Sequence, residues 1–103
     1  MAREIVFAPE AQTDLLGLYD YIANRNGAVR AFDYIERITA HCLGFAPFPE
    51  RGTRRDDLRP GLRVTGFEHR VSIAFHVTET TVVIDRILYG GRDLTGQFDK
   101  QIE

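Results

Sequence analysis

The sequence has little cysteine, little net charge and no long apolar run, and each shortage excludes a class of protein. Cys42 is the single cysteine, so the chain cannot close an intramolecular disulfide, and its place in an apolar helical pattern predicts a buried, inert thiol. The formal net charge is −2, which disfavours a general nucleic-acid binder because such proteins carry a strong basic excess. No apolar stretch has the length of a signal peptide or a membrane span, and we therefore expect a cytoplasmic protein.

Self-sufficient active-site motifs are also missing. The three histidines, His41, His69 and His76, lack the spacing of metal ligands, so we expect neither a metal nor a cofactor. The glycines nowhere form a phosphate-binding loop between a strand and a helix. Ser72 is the only serine and lies within a predicted strand, which disfavours a nucleophilic triad.

The remaining composition is that of one globular domain over residues 1–103, with 44% hydrophobic and 27% charged side chains. Apolar periodicity predicts the order strand–helix–helix–strand–strand–strand. This order indicates an α+β fold, in which a largely antiparallel, twisted sheet carries an N-terminal helical hairpin on one face. The opposite face, if uncovered, is expected to be a concave surface lined by the polar positions of the sheet.

The first predicted strand is Ile5–Phe7, and the first helix opens at Pro9, since proline fits the first helical turn. Asn24–Gly27 ends that helix and the second runs from Ala28 to about Gly44, so a four-residue break predicts an antiparallel helical hairpin. The side chains assigned to the buried faces are Ala11, Leu15, Leu18 and Ile22, widened by Leu16 and Tyr19, and then Ala28, Ala31, Phe32, Ile35, Ile38 and Cys42.

A long connection, Phe45–Gly61, is rich in proline and glycine, which exclude regular structure through most of it. Three strands follow, of which the first begins near Leu62. The second alternates apolar and polar residues from Val71, and Thr78–Thr80 returns the chain into the third as an antiparallel hairpin.

The third strand, Thr81–Tyr89, is apolar on both faces, which is typical of a strand that lies between two others. Beyond Gly90–Gly91, residues Arg92–Lys100 predict a weak terminal helix or a tail. The predicted faces of the third strand carry Val82, Ile84 and Leu88 on one side and Val83, Ile87 and Tyr89 on the other.

The polar side chains of the predicted sheet are candidates for acid–base chemistry on RNA, which needs a base, an acid and cations for the phosphoryl charge. Arg63 and Arg86 are the clearest candidates, because a charged side chain in an apolar strand is costly to bury without a partner. Asp85 points to the face opposite Arg86, and His76 is expected to be an exposed strand histidine. Each arginine either binds a target or forms a cross-strand ion pair, and the carboxylates considered for pairing are Asp56, Asp57 and Glu68.

Several short motifs occur in a fixed order along almost the whole chain, from about Arg3 to Asp93. The motifs are Ile5-Val6-Phe7-Ala8-Pro9-Glu10-Ala11, Asp14-Leu15, Tyr21-Ile22, Pro49-x-x-Gly52, Gly61-Leu62-Arg63 and Val83-x-x-x-Ile87-Leu88-Tyr89-Gly90-Gly91-Arg92-Asp93. In this order and spacing the chain resembles the ParE branch of the RelE/ParE superfamily of bacterial toxins from type II toxin–antitoxin systems. The resemblance implies a βααβββ fold, a growth-inhibiting toxin and a cognate antitoxin that wraps its surface.

Within that superfamily, ParE-like members are known as inhibitors of DNA gyrase without a hydrolytic site, and RelE-like members as ribosome-dependent messenger-RNA endonucleases. The resemblance therefore implies a non-enzymatic gyrase inhibitor, with no catalytic residues, that a ParD-like antitoxin neutralises. The single lysine, Lys100, and the net charge of −2 agree with this, because a ribosome-bound ribonuclease is expected to have a basic surface. The residues expected to contact the target are Arg63, Arg86, Tyr89 and Arg92.

Two alternatives stay open. One is a ribonuclease of RelE type, whose catalytic residues are then expected to be Arg63, His69, Arg86 and Tyr89. The other is an inactive member that only pairs with its antitoxin; neither a membrane partner nor direct sequence-specific DNA binding by this chain alone is expected. An antitoxin segment is expected to fold onto apolar surface, for which the candidates are Leu16, Tyr19, Tyr34, Phe45 and Phe48.

Overall fold

Two helices pack on one face of a five-stranded sheet in the computed structural model, which describes residues 3–90. The strand order is β1-β5-β4-β3-β2; β1 pairs with β5 in parallel and the other pairs are antiparallel. The α+β architecture and the largely antiparallel sheet are as predicted, whereas the terminal segment Arg92–Lys100 lies outside the described residues. The elements are β1 (Glu4–Phe7), α1 (Pro9–Asn26), α2 (Ala28–Leu43), β2 (Thr53–Arg54), β3 (Arg63–Phe67), β4 (Val71–Val77) and β5 (Thr81–Tyr89).

The link between the two helices is shorter than the sequence pattern predicts. Asn24–Asn26 stays helical, and Gly27 alone separates α1 from α2. Its φ of 94° lies in the region that glycine adopts at little cost, so one residue is enough to end the first helix and start the second. The predicted four-residue break is therefore wrong, but the two helices do pack against each other.

The buried face of α2 also differs from the prediction, since Ala28 and Phe32 are exposed and Tyr34 is buried. Phe32 is 61% exposed, whereas Tyr34 is 9% exposed and belongs to the core. Tyr34 packs against the rings of Phe67 and Tyr89, with centroids at 6.0 and 6.5 Å. Tyr34 is therefore buried by contact with aromatic side chains of the sheet, which the hydropathy of the helix alone does not predict.

A β-bulge in β5 changes which side chains face the helices. Ala74 pairs with Arg86 and Phe75 with Ile84, so Asp85 is the extra residue of the bulge. Beyond it the alternation shifts by one residue, and Ile87 joins the core that also contains Val82 and Ile84. The predicted assignment of Ile87 to the opposite face was therefore wrong.

The outer face of the sheet is partly covered rather than open. Leu58 and Leu62, from the connection before β3, form a second small cluster with Ala74, and Val64 packs against it. The same connection contains the two-residue strand β2, which pairs with the start of β3. The long loop is therefore more ordered than its proline and glycine content indicates.

Candidate functional site

The most strongly built polar contact joins α1 to the end of β5. The Arg86 guanidinium donates from Nε to Asp14 Oδ2 at 2.8 Å and from Nη2 to Asp14 Oδ1 at 3.0 Å. The side chains are 16% and 8% exposed, so both charges are largely removed from water. Two parallel hydrogen bonds make this the strong, bidentate form of an arginine–carboxylate pair, and the carboxylate raises the pKa of Arg86.

Asp14 also completes the backbone pairing of β5. The parallel partner β1 ends at Phe7, opposite Ile84. Further along β5 the Ile87 N–H donates to Asp14 Oδ2 at 2.8 Å. The carboxylate therefore takes the place of a neighbouring strand, and satisfies a donor that is costly to leave unpaired.

This geometry corrects the expected partners of Arg86. The carboxylates considered for it bind other arginines: Asp56 pairs with Arg54, Asp57 with Arg55 and Glu68 with Arg37. Sequence reasoning missed Asp14 because it lies 72 residues away from Arg86, and only its occurrence in a family-like motif drew attention to it.

Tyr89, at the end of β5, lies between two open grooves. Its ring contacts Tyr21 of α1 at 5.7 Å and Tyr34 of α2 at 6.5 Å between centroids. One groove, of about 600 Å³, runs along α1 and includes Asp14 and Tyr21. The other, of about 710 Å³, runs along α2 and includes Tyr34; within residues 3–90, Tyr89 is the residue that both grooves share.

The four side chains considered for ribonuclease chemistry do not converge. Arg63 lies opposite Phe75 of β4, whereas Tyr89 lies opposite Val71 of the same strand. These two positions on β4 are four residues apart, which corresponds to about 13 Å. Arg63 donates to the Arg51 carbonyl oxygen at 3.3 Å, just before the edge strand β2, whereas Tyr89 lies on β5, which β4 separates from β3.

His69 and Arg86 do not complete such a centre either. His69 lies in the exposed turn between β3 and β4, with a φ of 61°. Arg86 is engaged by Asp14. The geometry therefore brings no acid, base and free cation together from this set.

A charged cluster that the sequence did not predict lies beside the bulge. Asp85 is 11% exposed, and its Oδ2 lies 2.7 Å from His76 Nδ1 and 2.8 Å from an Arg59 guanidinium nitrogen. His76 is therefore half-buried and paired rather than a free strand histidine. The predicted hairpin places His76 and Asp85 on adjacent strands, whereas Arg59 comes from the loop before β3, and the bulge at Asp85 is invisible in the sequence.

The apolar candidates for antitoxin contact divide into surface and core residues. Leu16 and Phe48 are 69% and 73% exposed, and Tyr19 is half-buried against the core. Phe45 is completely buried and stacks on Phe75 at 4.8 Å. Phe45, and Tyr34 as described above, are thus core side chains and not a ready contact surface. The exposed apolar residues that the sequence analysis did not select for this role are Val6, Tyr21, Val29, Phe32 and Leu43.

The remaining candidates are the Cys42 thiol, possible metal ligands and Arg92. Cys42 is buried, and burial raises the pKa of its thiol to about 12, as expected for an inert side chain. Among residues 3–90 no group of His, Cys, Asp and Glu is arranged to hold a metal ion. In the same range neither helix is long and apolar enough to span a membrane. Arg92 lies outside the described part of the chain.

The fold is shared with a chain of a solved toxin–antitoxin system. The chain matches the structure titled "Chromosomal ParDE TA system from P. aeruginosa" with a TM-score of 0.76 and 22% sequence identity, covering 86% of this chain and 97% of that one. A helical hairpin on a mixed sheet that is not closed is common to both.

The sequence comparisons identify the family within this class. The model described as "ParE toxin of type II toxin-antitoxin system, parDE" matches residues 5–94. Toxin ParE3 of Caulobacter vibrioides is 32% identical over 88 residues, which are 85% of this chain and 87% of that protein. The chain belongs to the ParE toxin family of type II toxin–antitoxin systems.

Proposed function

We propose that this ParE-family toxin inhibits DNA gyrase by binding, without hydrolytic chemistry. Family membership is the observation that carries the proposal, because the ParE branch it resembles is the gyrase-inhibiting one. The geometry supports the non-hydrolytic part: Arg63 and Tyr89 lie at different ends of the sheet, and Arg86 is held by Asp14. A catalytic centre needs its acid and base within hydrogen-bond reach of one substrate atom.

The test is a gyrase supercoiling reaction titrated with purified, antitoxin-free toxin. We expect relaxed plasmid to accumulate as the toxin approaches the gyrase concentration, and prior addition of the cognate antitoxin to restore supercoiling. Supercoiling that stays unaffected at large toxin excess would contradict the proposal. Induced expression in a host distinguishes the inactive-member alternative, for which a folded toxin causes no growth defect.

We further propose that a ParD-like antitoxin neutralises the toxin by covering exposed apolar side chains. The solved relative is a ParDE system, and this chain leaves Leu16 and Phe48 largely in water. A disordered antitoxin segment that folds on binding gains free energy by removing such surface from solvent. Tyr19 lies one turn from Leu16 on α1 and extends the same apolar surface.

Alanine at Leu16, Tyr19 and Phe48 should weaken antitoxin binding while the fold survives. We expect a loss of about tenfold or more in affinity for at least one of these contacts, the size of a moderate interface residue. Calorimetric titration measures this, with Glu79→Ala in the exposed β4–β5 turn as the control. Unchanged affinity in folded variants would remove these side chains from the interface.

A further inference from the structure

The short strand β2 forms one edge of the sheet, and this edge is rich in positive charge. β2 is the last strand in the order β1-β5-β4-β3-β2, so within the sheet it pairs with β3 alone. Both of its residues, Thr53 and Arg54, are exposed. The surrounding segment 51–63 contains five arginines and two aspartates, in a chain whose net charge is −2. The charge of the chain is therefore unevenly distributed, with a local excess of cations at this edge.

Arg54 of β2 and Arg63 of β3 lie directly opposite each other. The Arg55 N–H donates to the Leu62 carbonyl oxygen at 2.8 Å, which makes Arg54 and Arg63 a pair that exchanges no backbone hydrogen bonds. The side chains of such a pair point to the same face, with their Cβ atoms about 5 Å apart. Two like charges in this arrangement repel each other, so an anion that contacts both is stabilising.

The carboxylate that serves this pair within residues 3–90 is Asp56. Its Oδ1 lies 3.1 Å from Arg54 Nη2 and accepts from the Gly61 N–H at 2.8 Å. The two side chains of the ion pair are 60% and 52% exposed, and so exposed a pair is weak enough for another anion to join or replace it. Arg63 donates to the Arg51 carbonyl oxygen and forms no ion pair in this part of the chain.

The backbone of Arg54 adds hydrogen-bonding groups to this charge. Because Arg54 exchanges no backbone hydrogen bonds with β3, its N–H and C=O point away from β3 and towards the outer edge of the sheet. An extended segment that pairs along this edge exchanges two backbone hydrogen bonds with Arg54. The side chain of the pairing residue then lies on the same face as the Arg54 and Arg63 guanidinium groups.

We propose that the β2 edge binds an extended, acidic segment of a partner protein as an added strand, with a carboxylate opposite Arg54 that also reaches Arg63. The backbone hydrogen bonds provide affinity, and the charge-assisted contacts select a carboxylate. This inference goes beyond the proposed function, because it requires neither gyrase nor the exposed apolar side chains assigned to the antitoxin.

The same geometry disfavours two other occupants, a second copy of this chain and a nucleic acid. Pairing two β2 edges through their outward backbone groups places two Arg54 side chains opposite each other, and like charges in that position are destabilising. A nucleic acid can contact the guanidinium groups, but it has no peptide groups to pair with the Arg54 backbone. An acidic strand satisfies both the charges and the backbone.

The test is an NMR titration of the full-length ¹⁵N-labelled toxin with the end-blocked peptide Thr-Val-Glu-Val-Thr, whose flanking residues favour strands. We expect saturable shifts at Thr53, Arg54 and Arg63, and about tenfold weaker binding when glutamine replaces the glutamate. Methylation of the glutamate amide nitrogen removes a backbone donor and keeps the charge, and should weaken binding about as much. Unchanged binding of either modified peptide, or shifts that map elsewhere, would overturn the proposal.

Hydrogen exchange shows whether this edge is open in the full chain. The Arg54 N–H should exchange rapidly with water in the free toxin, and should slow by about tenfold when the peptide occupies most of the toxin. Slow exchange in the free toxin would mean that another part of the chain already covers the edge, which contradicts the proposal.

Variants separate a binding role of the two arginines from a structural one. Arg54→Gln and Arg63→Gln should each weaken peptide binding about tenfold, and the unfolding midpoint of Arg54→Gln should stay close to that of the wild type. Arg30→Gln, near the start of α2, is the matched control and should leave the affinity unchanged. Wild-type affinity in Arg54→Gln would exclude this edge as the site.

A single-stranded oligonucleotide is titrated under the same conditions to check the class of partner. We expect it to bind more weakly than the acidic peptide. Tighter binding of the oligonucleotide that depends on Arg54 and Arg63 would overturn the choice of a protein segment. None of these outcomes depends on whether gyrase is the target.

Discussion

At the scale of single residues, Asp14 and Arg86 show that a charge in an apolar strand can be structural. The pair fastens α1 to β5 at the point where β1 no longer covers the strand edge. The Asp14 carboxylate accepts three hydrogen bonds at once, two from Arg86 and one from the Ile87 backbone. In a buried pair of this kind, the attraction between the charges does little more than offset the free energy of removing both from water. Removing one partner is nevertheless costly, because the other charge stays buried.

Arg86→Ala should therefore destabilise the fold by about 3–5 kcal/mol, because it leaves a buried carboxylate without its counter-charge. Arg54→Ala is the control, since its pair with Asp56 is more than half exposed on both sides and an exposed ion pair contributes little to stability. Urea unfolding measures both. Equal free energies of unfolding for the two variants would contradict the structural role of Arg86.

His41 makes stability depend on pH. Burial beside Phe45 and Phe67, and then the charge of Arg51, lower its pKa from 6.5. The unfolded chain therefore binds the proton more readily, so the His41 contribution is complete above pH 6.5 and is lost as the pH falls below it.

The wild type should accordingly lose more stability between pH 7 and pH 5 than His41→Leu does. His69→Asn, in an exposed turn with positive φ, is the control and should keep the wild-type slope. Urea midpoints at several pH values give the comparison. Parallel slopes for the wild type and His41→Leu would show that His41 does not titrate differently in the folded state.

At the scale of elements, the loop before β3 depends on two glycines with different surroundings. Gly52 has a φ of 75°, and a Cβ there would overlap the carbonyl oxygen of Val64 on β3. Gly61 has a φ of 82°, but nothing lies within 4 Å of its added Cβ. Both positions favour glycine because of their positive φ. At Gly52 there is also no room for a side chain.

Gly61→Ala should cost about 1–2 kcal/mol, the penalty of a left-handed conformation for an L-residue. Gly52→Ala should cost at least about 1 kcal/mol more, because β2 must also move away from β3. Thermal unfolding of the two variants side by side measures the difference. Equal costs would mean that the close approach of Gly52 to Val64 does not constrain the strand pair.

The elements were predictable from local signals, and their junctions were not. Pro9, the helical periodicity and the Thr78–Thr80 turn determine where helices and the last hairpin lie, and all act within a few residues. The one-residue link at Gly27 and the bulge at Asp85 depend on how the elements pack. The same holds for the candidate site: the sequence proposes Arg63, Arg86 and Tyr89 as candidates, but it does not predict their contacts, such as that of Arg86 with Asp14.

At the scale of the whole molecule, the charge and the grooves of the toxin bear on its choice of target. Its net charge is −2, the arginines paired with carboxylates are Arg37, Arg54, Arg55, Arg59 and Arg86, and two grooves meet at Tyr89. This agrees with a gyrase inhibitor and disagrees with a ribonuclease that must grip RNA phosphates.

The most direct measurement compares the two targets with one preparation of toxin. The toxin is added, at the same concentrations, to gyrase supercoiling and to ribosomes translating a defined messenger RNA. We predict that supercoiling stops at near-stoichiometric toxin while the messenger stays intact. Codon-dependent cleavage of the messenger, with supercoiling unaffected at large excess, would contradict the central claim.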